Sequence, residues 1–138
     1  EAAAEVFASG ADITVLPLDA THKALITDAR LQAIADIGTP VARAVAGWLD
    51  FYERFDLEKY GGAGGPLHDP CVIAHLLAPE LFSGRRVNVE IETGSELTRG
   101  MTVADWWGVT TRPANAQFLG HVDAEGFFAL LTERLARL

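Results

Sequence analysis

Apolar positions recur along the chain at two spacings, and each spacing predicts a different element. The strongest helical rhythm starts after Pro40. Val41, Val45, Trp48, Leu49, Tyr52 and Phe55 fall on one face of a helix, and Pro40 suits its first turn. This predicts the longest helix, reaching Phe55 or beyond, with those residues as its apolar face. "TDARLQAIADIG" carries Leu31, Ile34 and Ala35 at helical spacing and stops at Gly38. "PCVIAHLLAPELF" predicts a helix that Pro79 interrupts or ends. "DAEGFFALLTERLARL" predicts an amphipathic helix with Asp123 as N-cap and Phe127, Leu130, Leu131, Leu135 and Leu138 as its stripe. The opening "EAAAEVFASG" is helix-forming, with Gly10 as terminator.

Alternation marks the strands. In "RRVNVEIETG", Val87, Val89 and Ile91 take one side and Asn88, Glu90 and Glu92 the other, as a half-buried strand requires. "MTVADWWG" predicts a second strand, pairing with the first as a long-looped antiparallel unit. "ADITVLPLD" predicts a short buried strand ending at Pro17 and Asp19, and "DATHKALIT" a connection. Intermixed helices and strands make the fold class α/β.

Composition narrows the picture. With 138 residues and 49% hydrophobic content, the chain fits one globular domain. A net charge of −8 argues against a nucleic-acid partner; it leaves a bound cation open. The single cysteine, Cys71, cannot form an intrachain disulfide, so a reducing, cytoplasmic setting is expected. The longest apolar runs are too short to span a bilayer, so no membrane partner is expected. The chain opens as if inside a helix, with neither Met nor an N-capping residue before Glu1. That suggests part of a longer protein; a cleaved or frayed natural terminus is the alternative.

The candidate chemistry lies in "GGAGGPLHDP", residues 61–70. Asp69 is a preferred N-cap type and Pro70 a preferred first helical residue, so a purely structural role accounts for the tetrapeptide ending in Pro70. The same residues suit chemistry. A carboxylate at a helix start is a hard oxygen ligand for Ca²⁺ or Mg²⁺, and a neighbouring His exchanges protons near neutral pH. The glycines would let a substrate or metal come close to the backbone. His22, His75 and His121 have no second ligand at metal-binding spacing. The lone Cys71 makes zinc a poor fit, and P-loop, dinucleotide and serine-hydrolase patterns are absent. The Trp106–Trp107 pair suits packing or an interface.

Three segments, "ITVLPLDATHKALIT", "GGAGGPLHDPCVIAHLLAPELF" and "VNVEIETGSELTRGMTV", in this order and spacing, resemble the inosine–uridine-preferring nucleoside hydrolase family. The resemblance places the chain as the C-terminal half of a longer domain. It implies a largely parallel sheet with flanking helices and an antiparallel hairpin. It also implies Ca²⁺-assisted hydrolysis of the N-glycosidic bond of ribonucleosides, by a homo-oligomer (dimer or tetramer). Carried over to this sequence, Asp69 becomes a Ca²⁺ ligand and His68 the residue that faces and protonates the departing base. Tyr52 and Tyr60 become candidates for lining the base pocket. "ETGSELTRG" receives no catalytic role; its hairpin-like setting suggests structure. The family's acidic cluster, of the form D-x-D-P-G-x-D-D, is absent from these residues. Since Ca²⁺ takes six to eight oxygens, the chain alone is expected to bind it poorly and not to catalyse. Without the first strands of the sheet, "ITVLPLD" is expected to leave an unpaired edge. A truncated, non-catalytic interaction or assembly module is the alternative reading.

Overall fold

The computed structural model describes residues 1–60 and 64–138, with side chains for 1–52 and 64–138. In chain order the helices are α1 (Ala2–Ala8), α2 (Leu18–Thr21), α3 (Asp28–Ala35), α4 (Pro40–Tyr60), α5 (Pro70–Leu77) and α6 (Ala124–Leu135). The strands are β1 (Ile13–Val15), β2 (Phe82–Val87), β3 (Val89–Ile91), β4 (Thr102–Ala104) and β5 (Ala116–Val122), with a 3-10 turn at Pro79–Leu81 before β2. The mixed α/β class is as the patterning predicts. The contacts divide the chain into two compact units: Glu1–Pro17 with Gly84–Gly120, and Leu18–Ser83 with His121–Leu138.

In the first unit, β1 runs parallel to β5, with Ile13 beside Ala116 and Val15 beside Phe118. The sheet order is β1-β5-β2. The predicted antiparallel pair is present as β3 and β4, with Val89 opposite Ala104. Val87, Val89, Ala116 and Phe118 form the buried cluster, and Phe7, Ile13, Val15 and Trp106 pack against it. Asn115 ties the segments together. Its Oδ1 accepts from Val89 N (2.8 Å), and its Nδ2 donates to the carbonyls of Val89 (2.9 Å) and Phe7 (3.1 Å).

Three strand expectations need correction. The single strand read over residues 85–94 is two strands, broken at Asn88. Asn88 is not on a solvated face. It is buried, and its Nδ2 donates to the Pro113 carbonyl and to Glu90 Oε1, both at 3.1 Å, so the alternation fails where a satisfied polar group turns inward. β1 is shorter than expected and only half-buried, and the connection after it contains α2. Strand β5 was not anticipated. It is the central strand, and with Ala116, Phe118, Leu119 and Val122 buried it has lost the alternation by which a strand is recognised. The Glu92 carboxylate closes the turn after β3 by accepting from Gly94 N (2.6 Å) and Ser95 N (3.0 Å). Those backbone donors, Gly94 first, hold it below the usual carboxylate range.

The second unit is helical. Thr27 caps α3 by accepting from Arg30 N, and Asp123 caps α6 by accepting from Gly126 N, as their side-chain chemistry predicts for Asp123. On α6, Phe127 and Leu135 are buried as expected. Phe128 is buried as well, whereas Leu138 lies beyond the helix and is exposed. The face of α4 differs from the predicted one. Among its described side chains, Ala42, Ala46 and Leu49 are buried, while Val41, Trp48 and Tyr52 are exposed. The helix is rotated by about one residue, so that small alanines face inward beside α3 and the large rings point away. Phe55 lies outside the residues with described side chains.

Candidate active site

Residues 61–63 of the glycine-rich segment lie outside the described residues; from Gly64 on it is docked as backbone before it presents any side chain. Leu25 and Pro66 form an antiparallel bridge. Ile26 N donates to the Gly65 carbonyl (2.8 Å), and Leu67 N donates to that of Ala24 (2.9 Å). Gly64 permits the approach. Its φ is +115°, and a Cβ there would stand 2.0 Å from the Ile26 carbonyl oxygen. At Gly64, then, the glycine makes room for the chain's own backbone rather than for substrate or metal. Gly64→Ala is therefore expected to cost about 2–4 kcal/mol from overlap and backbone strain together, read as a lowered denaturation midpoint.

Past this clamp the chain enters α5 through His68, Asp69 and Pro70. Cys71 anchors the first turn. It is fully buried, and its Sγ donates to the Leu67 carbonyl at 3.1 Å. Burial pushes its thiol up to about 11. Because thiolate is the reactive form, Cys71 should resist thiol reagents at neutral pH and react fully once the chain is denatured; rapid labelling of the native chain would contradict this packing.

Asp69 does not act as the capping side chain that its sequence position suggests. It occupies the N-cap position with Pro70 just inside, but its backbone is already helical (φ −61°, ψ −38°) and its carboxylate makes no capping hydrogen bond. An effective N-cap residue is extended, which turns its oxygen back onto the first free N–H groups. Here the exposed carboxylate is left unengaged among the described residues.

His68 is half-buried and held on two sides by the end of α2. Its Nδ1 lies 2.8 Å from the Thr21 hydroxyl oxygen. The His22 ring stands 5.4 Å from the His68 ring, tilted by 50°. Thr21 and His22 escape sequence reasoning as partners because they lie about 47 positions away; the only signal was their polar character at the end of a short apolar run.

His68 and Asp69 line one wall of a cleft of about 440 Å³, which also includes Trp48, Leu49, Phe51, Tyr52, Pro66, Leu67 and Pro70. The exposed rings of α4 thus face this space. Of the predicted site residues, His68, Asp69 and Tyr52 come together; the Tyr60 side chain lies outside the described residues. Trp48 and Phe51 were missed as site residues, Trp48 because an aromatic at helical spacing reads first as core. His75 is apart from the cleft, edge-on to Phe82 at 5.5 Å. Among the described residues, no group of three His, Cys, Asp or Glu side chains is arranged to share a metal ion, and no helix is long and apolar enough to cross a membrane.

An aromatic-walled cleft carrying one imidazole and one unengaged carboxylate suits a flat ligand with polar edges. The family model described as inosine-uridine preferring nucleoside hydrolase matches residues 1–129. The chain belongs to the nucleoside hydrolase family. It is 50% identical over 137 residues to the pyrimidine-specific ribonucleoside hydrolase RihA of Shewanella sp. strain ANA-3, a match that covers 99% of this chain and 43% of that protein. It is similar in structure to a purine-preferring ribonucleoside hydrolase from Gardnerella vaginalis, with a TM-score of 0.85 and 27% identity over 99% of this chain and 43% of the other. It also resembles the plant nucleoside hydrolase PpNRh1, with a TM-score of 0.88 and 25% identity over 100% of this chain and 45% of the other. The chain therefore spans less than half the length of these nucleoside hydrolases.

Proposed function

We propose that this chain is the C-terminal half of a ribonucleoside hydrolase domain and that it supplies the base-facing wall of the active site. The single observation that carries the proposal is the cleft that joins His68, Asp69 and the α4 aromatics. The similarity to RihA supports the reaction class, and the share of RihA that is matched supports assigning activity to the complete protein. The exposed apolar side chains of α5, among them Ile73, Leu76 and Leu77, support a further packed layer in that complete protein.

In the reaction, the bond between the anomeric carbon and the base nitrogen breaks, its electron pair leaves with the base, and a water oxygen bonds to that carbon as it gives up a proton. Positive charge develops on the ribose, as in glycoside hydrolysis. The apolar cleft orients the base by stacking and excludes water from its faces. His68 donates a proton or hydrogen bond to the departing base, which lowers the cost of expelling it. Asp69 fits one ligand of a calcium ion, since its carboxylate has no competing hydrogen bond among the described residues. Among the described residues no group of three His, Cys, Asp or Glu side chains could hold such an ion, and the remaining ligands are assigned to the rest of the complete protein. When bound, such an ion would orient the ribose hydroxyls and acidify a water. Incubating the complete protein with inosine and with uridine in calcium buffer should release ribose; release from no common nucleoside would overturn the proposal.

A further inference from the structure

Thr21 is one of two buried polar side chains among the described residues, at 3% exposure. Its one hydrogen-bond partner there is His68 Nδ1. A hydroxyl carries one proton that needs an acceptor, whereas a neutral imidazole has one donor nitrogen and one acceptor nitrogen. Two arrangements are possible, and they differ in what they leave over. If Nδ1 carried the proton and donated to Oγ1, the Thr21 hydroxyl proton would be buried with no acceptor among the described residues. If the hydroxyl donates to Nδ1, both atoms are satisfied, and an unpaired buried donor is avoided.

We propose that Thr21 is a positioning residue that fixes neutral His68 as the tautomer protonated at Nε2. The nitrogen left over for the cleft is then a donor and not an acceptor. The ring of His22, the next residue, stands 5.4 Å from the same ring at a tilt of 50°, so the end of α2 restrains both its rotation and its tautomer. The consequence for chemistry rests on the nucleoside reading above: the cleft is preset to offer a hydrogen to a ring nitrogen or carbonyl oxygen of the leaving base, without first turning the imidazole over.

The test is long-range proton–nitrogen correlation of the histidine rings in alkaline buffer, where imidazoles are neutral, on the complete wild-type protein and on its Thr21→Ser and Thr21→Val variants. We expect His68 of the wild type and of Thr21→Ser to show an unprotonated Nδ1 and a protonated Nε2. In Thr21→Val, with its backbone amide spectrum unchanged, both signals should move toward the tautomer average. A protonated Nδ1 in the wild type, or identical ring signals in Thr21→Val, would overturn the proposal. In the complete protein, Thr21→Val should lower kcat by up to about 100-fold with KM nearly unchanged, and Thr21→Ser should restore it; an unchanged kcat would refute the positioning role. Should the wild type release no ribose, the nucleoside reading falls, while the ring spectra still decide the tautomer.

Discussion

His68→Ala in the complete protein is expected to lower kcat on inosine and uridine by about 10²–10⁴, the usual worth of one placed acid. A purine or pyrimidine anion is a poor leaving group, so the proton supplied at departure sets the barrier. The same variant should hydrolyse a riboside with a nitrophenolate leaving group at close to the wild-type rate, because that group leaves without protonation. The comparison separates acid catalysis from simple loss of packing. His68 lines the cleft, so its truncation also removes contact area, which would raise KM for every substrate alike. Equal losses on both substrates would mean that His68 shapes the cleft and supplies no proton. Rates on the two ribosides under saturating conditions decide between these outcomes.

Asp69→Asn should abolish measurable turnover while leaving the melting temperature in calcium-free buffer unchanged. The stability half of the prediction follows from local geometry. The carboxylate is exposed and makes no capping bond, and the first turn of α5 is held instead by Pro70 and by the Cys71 thiol on the Leu67 carbonyl. The activity half follows from charge. An amide keeps the shape of the carboxylate but loses the negative oxygen that a hard cation needs. If Asp69 were only the start of a helix, asparagine would be as good a residue there, and activity would persist. Calorimetric calcium titration of the complete protein and of the variant provides the intermediate readout, with weakened binding expected in the variant.

Much of the architecture was legible because it rests on local rules. The α6 cap at Asp123, the end of α5 before Pro79 and the alternation that becomes β3 and β4 each depend on a few adjacent residues. What was illegible depends on partners distant in sequence. Strand β5 is buried on both sides and so lost its period. Asn88 turned inward because the Pro113 carbonyl was there to receive it. On α4 the small Ala42 and Ala46 take the buried positions, which leaves Trp48 and Tyr52 exposed to line the cleft. At the site, the motif ending in Pro70 identified His68 and Asp69, but Asp69 read equally well as a cap. The extended backbone that a cap needs is missing, and no single-sequence rule foretells that. Thr21 was hidden for the same reason: nothing local to "DATHKA" points to a histidine at position 68.

The most direct test of the proposed site is ribose release from inosine and uridine, measured side by side for the complete wild-type protein and its Asp69→Asn variant in calcium buffer. Release by the wild type, loss in the variant and matching melting temperatures in calcium-free buffer are expected. Full activity in a folded Asp69→Asn protein would contradict it.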